Sequence, residues 1–294
     1  MAKNQTKRRK SQSGFARVLR QLAYNRTATI GAIILLIEVI LAILAPYIAP
    51  YNYSKVDILH AMEGPSQAHW LGTDDMGRDI LSRILIGARY SMGMGILAVI
   101  FGVFFGSIVG SIAGFFGGKV DNIIMRVLDV IQSLPSMLLT IVLSAVLGAG
   151  FFNTILALSI SGIPANARLL RASMLKVRDN EYMEAAVSIN CSKFHIIVKH
   201  LLPNSFSPMI VSSTMGVASM IVAAAGLSFL GLGVQPPTPE WGAMLSSSRQ
   251  YIRSTPHLVI FPGIAIAITV LSLNMMGDGL RDAMDPRLKQ LGRF

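Results

Sequence analysis

Three acidic residues close together in the sequence, Asp74, Asp75 and Asp79, could in principle bind calcium. The segment around Gly77 nevertheless fails the pattern of a calcium-binding loop. No alternating Asp or Asn ligands precede this glycine, and no Glu closes the loop. Turn and cap chemistry is the better interpretation. Asp79 can begin a helix at the amphipathic run 80–85, because its carboxylate can accept hydrogen bonds from free backbone N–H groups.

The Gly-Gly-Lys sequence at 117–119 superficially suggests a phosphate-binding loop. Such a loop needs a first glycine where this chain has Ala113, and a Ser or Thr where it has Val120. We therefore predict a turn here, and no nucleotide or other cofactor bound by this chain. The single cysteine, Cys191, excludes an internal disulfide and a cysteine-rich metal site.

Two acidic residues, Glu38 and Asp129, lie within apolar blocks and could carry protons. They are scattered and have no matched basic partners in the sequence pattern, so a buried or snorkelling role is the favoured interpretation. The fourth apolar block contains polar or helix-perturbing residues: Ser159, Ser161, Gly162, Pro164 and Asn166. These are equally compatible with a water-lined path and with hydrogen bonds between helices.

The elements that must position these residues are membrane helices. The 294 residues are 52% hydrophobic and 14% charged, and the mean hydropathy is +0.56. About 20 apolar residues in a helix cross roughly 30 Å of hydrocarbon. Six blocks qualify: 28–49, 91–116, 123–148, 152–171, 206–231 and 257–277. Because backbone polar groups must be paired in lipid, we predict an all-α, polytopic membrane protein with six transmembrane helices. The short alternating strands of an outer-membrane barrel are not present in the sequence.

The net charge of +11 is concentrated at the N-terminus. Eight basic residues precede or begin the first span: Lys3, Lys7, Arg8, Arg9, Lys10, Arg17, Arg20 and Arg26. Such a run is typical of a topology signal and a lipid-contacting arm, and we expect no nucleic-acid partner. The first span is too long for a signal-peptide core and is interpreted as an uncleaved anchor. Six spans then place both termini in the cytoplasm.

The predicted organisation is one membrane domain with polar extensions. Residues 1–27 form a cytoplasmic basic arm, 28–280 form the transmembrane domain, and 281–294 form a cytoplasmic tail. Within the domain, an external loop spans about 50–90 and a cytoplasmic loop spans about 174–204. The sequence contains no convincing internal repeat.

The second apolar block carries glycines at a spacing of four, which places them on one helix face. They are Gly102, Gly106, Gly110 and Gly114. Small residues allow a neighbouring helix to approach closely in a membrane. We therefore predict a helix-packing face and place this span inside the bundle.

The loop at about 174–204 has the features of two short helices. Asp179 or Asn180 can cap the first helix, which Asn190 can end, and Ser192 can cap the second. An apolar stripe then recurs at helical spacing, and Pro203 marks a bend towards the fifth span. The predicted contact residues for a soluble partner are Glu184, Ala185, Ala186, Asn190, Phe194, Ile197, Val198, Leu201 and Pro203. A helix pair lying on the lipid surface is the nearly equal alternative.

Several strings resemble, in this order, one family. They are 73–79, Glu184-Ala185-Ala186, His200-Leu201-Leu202-Pro203-Asn204, 227–233, 236–242 and 277–286. The chain from about residue 28 to 288 resembles an ABC importer permease, of the C type, from the dipeptide/oligopeptide/nickel group. Asn190 stands where that family usually has glycine, and a left-handed turn accepts either residue.

The resemblance implies a MetI-like permease fold with a cytoplasmic coupling helix pair, in a bacterial or archaeal cell membrane. It also implies a homologous B-type permease, two cytosolic ATPases that bind ATP and Mg²⁺, and an extracytoplasmic substrate-binding protein. This chain would move di- or oligopeptides by alternating access and would not itself be an enzyme. Dipeptides, longer peptides, glutathione and nickel chelates remain possible cargoes. A proton-coupled peptide carrier and a non-transporting scaffold are the alternatives.

A segment at the external end of the fifth span could gate the pathway or receive the binding protein. The candidate residues are Ser228, Phe229, Gly231, Gly233 and Trp241. Scaffold packing explains these residues at least as well.

Overall fold

The computed structural model describes residues 25–178, 180, 181, 183, 188, 191, 192 and 195–284. Helices joined by turns make up these residues. The α-helices are α1 (Arg26–Ile48), α2 (Ile80–Phe116), α3 (Gly118–Gln132), α4 (Ser136–Leu147), α5 (Phe151–Arg178), α6 (Leu202–Ser205), α7 (Ser207–Phe229), α8 (Trp241–Ser248) and α9 (His257–Met284). Short 3₁₀ turns occupy Ile58–His60 and Arg249–Tyr251, and a π-helical segment covers Ile196–Leu201.

Four of these helices, α1, α2, α7 and α9, are long and apolar enough to cross a membrane, and the pair α3–α4 would make a fifth span. Helix α5 has 28 residues, which is also long enough, but it is more polar than the others. Each predicted apolar block is therefore helical. The sixth crossing, through α5, remains a prediction.

The third predicted span is not one continuous helix. The structure breaks block 123–148 between Gln132 and Ser136, and the two helices meet at an angle of 82°. The physical reason is Pro135, which has no backbone N–H to donate and disfavours helical geometry at Leu134. The expectation that this block forms one helix was wrong.

Helix α2 begins earlier than the apolar block indicates. The Asp79 side chain accepts a hydrogen bond from the backbone N–H of Ser82 at 2.8 Å, which confirms the predicted cap. From that cap the helix runs without interruption to Phe116. Residues 80–90, which the sequence analysis included in the external loop, therefore form the first turns of α2. The helix ends where Gly117 and Gly118 adopt φ values of +61° and +53°, so the predicted turn is confirmed.

Helix α2 lies at the centre of the bundle and packs against α5 over much of its length. A methyl group at Gly106 would lie 2.6 Å from Cβ of Asn166. Gly102 faces Ser159, and Gly114 faces Met174. Gly110 is the other member of this face and approaches the backbone of Ala167 on α5. The glycine stripe thus faces one neighbouring helix. Helix α7 packs on α2 and α9, and α1 packs mainly on α9.

Candidate coupling region and transport pathway

The segment that joins α5 to α7 carries most of the predicted partner contacts. Glu184, Ala185, Ala186, Asn190 and Phe194 lie outside the described residues, so their roles remain predictions. Ser192 is described, and its hydroxyl accepts a hydrogen bond from the backbone N–H of His195 at 3.3 Å, as a helix cap does. The side chain of Asn180 instead donates to the carbonyl of Val177 at 2.9 Å and so caps the end of α5.

The apolar stripe of this segment has a different register from the predicted one. Ile196 and Leu201 are buried, five residues apart, because residues 196–201 form a π-helix and not an α-helix. Ile197 is only partly buried, and Val198 is 45% exposed. The expectation that Ile197, Val198 and Leu201 share one face with Phe194 was therefore wrong for the described members. Pro203 lies in the first turn of α6, directly after the π-helical segment, and its missing N–H cannot donate to that preceding turn.

The buried side of the segment packs into an apolar cluster that anchors it to the bundle. The cluster consists of Leu170, Met174, Met183, Ile196, Leu201 and Met209. It joins the end of α5 to the start of α7, while Val198 faces away from it. A partner that moved this segment would therefore displace two long helices.

Two ion pairs link α3 to α5. Arg171 makes two hydrogen bonds to the carboxylate of Asp121, which is buried. Arg168 Nη2 lies 2.7 Å from Oδ1 of Asp129, and both side chains are about half exposed. The expectation that Asp129 lacks a basic partner was wrong, because the partner comes from a helix 39 residues away in sequence.

Glu38, the other acid within an apolar block, lies between α1 and α9. Thr269 donates a hydrogen bond to Oε1 of Glu38 at 3.1 Å. The second carboxylate oxygen, Oε2, is buried and has no hydrogen-bond partner among the described residues. This geometry agrees with a buried role, and within the described residues the printed side-chain hydrogen bond of Glu38 is the one from Thr269.

The candidate gate residues divide into buried and exposed members. Trp241 and Ser228 are each 3% exposed, and the Trp241 indole donates to the carbonyl of Ile84 at 3.1 Å. A side chain at Gly233 would collide with Ser228. Phe229 is 41% exposed. Gly231, with a φ of +80°, has open space around it. Packing accounts for the buried residues Ser228, Gly233 and Trp241. A role of the five residues in a gate or in docking stays a prediction.

The segment before α2, which the sequence predicts to be external, is held by a buried charge cluster. Asp74 Oδ2 lies 2.7 Å from Nε of Arg78 and 3.3 Å from Nε of Arg83. Arg83 also donates to the carbonyl of Tyr53 at 3.0 Å and to that of Pro237 at 3.3 Å. The cluster therefore ties the external segment to the turn before α8. The Asp-rich string serves the predicted turn and cap, and it also forms ion pairs that the sequence analysis did not predict.

The bundle of apolar helices, four of which are long enough to cross a membrane, defines a polytopic membrane protein. The chain belongs to the family described as "binding-protein-dependent transport system inner membrane component", which matches residues 102–290. Residues 13–65 match the "N-terminal TM domain of oligopeptide transport permease C". These matches and the relatives below place it among the C-type permeases of ABC importers.

Individual relatives extend over nearly the whole chain. The dipeptide transport system permease protein DppC of Alkalihalophilus pseudofirmus is 43% identical over 277 residues, which are 94% of this chain and 91% of the relative. The glutathione transport system permease protein GsiD of Shigella flexneri serotype 5b is 48% identical over 273 residues, which are 92% of this chain and 89% of the relative. GsiD of Escherichia coli O157:H7 is 45% identical with the same coverage.

A solved structure shares the fold at low sequence identity. A chain of the methionine ABC transporter MetNI, solved in inward-facing conformations, is similar in structure. The match covers 68% of this chain and 96% of the MetNI chain, with a TM-score of 0.57 and 17% sequence identity. The predicted all-α, MetI-like permease fold is confirmed.

Proposed function

We propose that this chain is a permease subunit that moves di- or oligopeptides, glutathione among them, into the cell by alternating access. Separate cytosolic ATPases bind ATP and Mg²⁺ and drive the cycle through the segment between α5 and α7. The chain pairs with a homologous B-type permease and receives cargo from an extracytoplasmic binding protein. Both termini lie in the cytoplasm, and nickel chelates remain an alternative cargo.

The observation that carries this proposal is the match of more than nine tenths of the chain to permeases named for dipeptide and glutathione transport. The two named cargoes share a peptide backbone with ionised ends. A permease for such molecules needs an aqueous path and a source of energy outside the membrane. The chain contributes helices and a loop to that task, and the nucleotide chemistry belongs to the partners.

The geometry of the α5–α7 segment supports the coupling part of the proposal. Leu201 is 1% exposed and fixes the segment to the apolar cluster, whereas Val198 is 45% exposed. An element with one anchored face and one free apolar side chain suits helix-in-groove docking on a soluble partner. Rigid-body displacement of α5 and α7 would then exchange the inward-facing and outward-facing states.

The rival function is a peptide carrier that is powered by protons. Such a carrier needs acidic residues in the membrane that gain and lose protons during each cycle. Asp129 is already paired with Arg168, and Glu38 accepts its hydrogen bond from Thr269 of α9, which is not an acid. These contacts favour the ATP-driven function over the proton-driven one.

The deciding experiment is peptide uptake by proteoliposomes that contain both permeases and both ATPases, with the binding protein supplied on the opposite face. We expect uptake to require ATP and binding protein, to persist when a protonophore removes the proton gradient, and to persist in Glu38→Gln. Uptake that stops with the protonophore and continues without ATP would establish the carrier function instead. Omitting the binding protein or the ATPases also tests the proposed partners one at a time.

A further inference from the structure

The ion pair between Asp129 and Arg168 is unusual because both side chains are half exposed within segments predicted to cross the membrane. The Arg168 side chain is 40% exposed and that of Asp129 is 56% exposed. Their neighbours on α3 are apolar and also exposed, with Val127 at 55% and Val130 at 72%. A charge pair on an apolar surface is unfavourable in contact with lipid.

The position of Arg168 along α5 sets its depth. Helix α5 has 28 residues and is about 42 Å long at a rise of 1.5 Å per residue, so it exceeds a 30 Å hydrocarbon core by about 12 Å. Arg168 lies ten residues before Arg178, the end of the helix, which is a distance of about 15 Å. If α5 crosses the membrane as predicted, Arg168 lies within the hydrocarbon thickness even when all of the excess length is placed beyond Arg178.

A second, independent feature lies beside this pair. The break between α3 and α4 begins at Ser133, four residues after Asp129, and Ser133, Leu134 and Pro135 are all exposed. Irregular backbone at membrane depth occurs only where protein buries it or water reaches it. The half-exposed charges and the exposed break therefore mark the same face of the chain as one that does not meet lipid.

We infer that Asp129 and Arg168 form a charged binding site on the water-filled path, which contacts the ionised ends of a peptide cargo. This inference rests on the proposed function and names the cargo chemistry that one part of the path recognises. Arg168 can make paired hydrogen bonds to a terminal carboxylate, and Asp129 can accept hydrogen bonds from a terminal ammonium. Exchanging their mutual contact for contacts to the cargo keeps both charges paired during passage.

The second ion pair between the same helices provides a contrast. Asp121 is buried, and both of its oxygens accept hydrogen bonds from Arg171, whose side chain is 30% exposed. The acid of this pair therefore has no free oxygen and little free surface for a cargo. The pair fastens α3 to α5. The Asp129–Arg168 pair has a single short contact and free surface on both side chains, which suits a site that opens and closes.

The test uses thiol labelling of the purified complex in nanodiscs, with peptide mapping by mass spectrometry to separate the introduced thiol from Cys191. Ser133→Cys reports on the site without altering the ion pair, and Ile43→Cys, at a 64% exposed apolar position of α1, is the control. A charged, water-soluble reagent should label the Ser133→Cys thiol and leave the Ile43→Cys thiol unlabelled. A dipeptide with free ends should protect the first thiol, whereas the same dipeptide with acetylated and amidated ends should not.

Asp129→Asn and Arg168→Gln, each combined with Ser133→Cys, complete the test. Losing one charge-assisted hydrogen bond of about 1.4 kcal/mol weakens the apparent affinity for the protecting dipeptide about tenfold. Asp121→Asn should leave this protection unchanged, because Asp121 is buried and its oxygens are already engaged by Arg171. An unreactive Ser133→Cys thiol in a complex that still imports peptide, or equal protection in every variant, would overturn the inference while leaving the proposed function intact. Loss of ATP-dependent import in the unaltered complex would count against the proposed function instead.

Discussion

Ser91 and Glu240, 149 residues apart in sequence, share a buried hydrogen bond between α2 and the start of α8. The Ser91 hydroxyl donates to Oε1 of Glu240 at 3.1 Å and accepts from the backbone N–H of Trp241 at 3.1 Å. The Glu240 carboxylate also accepts from the N–H groups of Gly242 and Ala243 at 2.9 and 2.8 Å. One carboxylate therefore caps α8 and fixes it against the central helix, which explains why the neighbouring tryptophan is buried.

Replacing Glu240 by Ala should destabilise the permease markedly. The change removes the cap, at a cost of about 0.5–2 kcal/mol, and leaves buried donors without acceptors, at about 1–3 kcal/mol more. The apparent melting temperature of the purified complex in detergent should fall, and Glu63→Gln, at an exposed external position, should not change it. Equal melting temperatures for the two variants would contradict this role of Glu240.

Gly106→Leu should separate α2 from α5. Even a methyl group at Gly106 would lie 2.6 Å from Cβ of Asn166 and 3.0 Å from the carbonyl oxygen of Ile163, and the helix backbone cannot move away without opening the interface. Overpacking of this kind costs about 1–3 kcal/mol or more. Size-exclusion chromatography should show a loss of assembled complex. Gly263→Leu is the matched control, because the space beside Gly263 is open. A Gly106→Leu complex that assembles and transports normally would disprove the packing role.

Asp74→Asn should loosen the external segment. Removing this charge leaves Arg78 and Arg83 buried with less compensation, and breaking a buried pair from one side costs about 3–5 kcal/mol. Limited proteolysis and hydrogen exchange should both report faster opening of residues 50–79. Asp75→Asn should have a smaller effect, because Asp75 is more exposed and lies 3.5 Å from Arg78. Identical exchange in the two variants would show that the cluster does not hold the segment.

Local signals in the sequence were sufficient for the helix ends. The Asp79 cap and the Gly117–Gly118 turn depend on neighbours within four residues, and the structure has both. The glycine spacing of α2 likewise indicated a common face, which the structure directs at α5. Such features follow from the geometry of a single helix, so one sequence contains the information needed to predict them.

The features that the sequence analysis missed depend on contacts between distant segments or on small changes in local helix geometry. The Asp129–Arg168 pair needs the crossing of α3 and α5, which no periodicity specifies. Pro135 is a local signal for a helix break, but the continuous hydropathy of block 123–148 led to the prediction of one helix. The π-helical register of Ile196–Leu201 reversed the expected burial of its residues, because one extra residue per turn changes which side chains face the bundle.

Labelling of Cys191 tests the predicted orientation of the chain. Cys191 is partly buried beside the apolar cluster at the end of α5, within the segment predicted to be cytoplasmic. A membrane-impermeant maleimide should therefore miss it in intact cells and react with it in inverted membrane vesicles. Bound ATPase subunits should slow the reaction, and removing them should restore it. If the maleimide labelled Cys191 equally fast in intact cells and in inverted vesicles, the proposed topology would be contradicted.

Val198 and Leu201 allow docking to be separated from folding within one short segment. Leu201 is 1% exposed inside the apolar cluster, so Leu201→Ala should cost about 2–5 kcal/mol of stability and lower the melting temperature. Val198 is 45% exposed, so Val198→Asp should leave the melting temperature nearly unchanged.

If Val198 lies in a groove of the ATPase, the aspartate should weaken ATPase association by about 1.4 kcal/mol, which is about tenfold, and lower ATP-dependent uptake with it. ATPase binding to permease nanodiscs and peptide uptake are measured on the same preparations. Full uptake and unchanged binding in Val198→Asp would remove this side chain from the coupling surface, whatever the effect of Leu201→Ala.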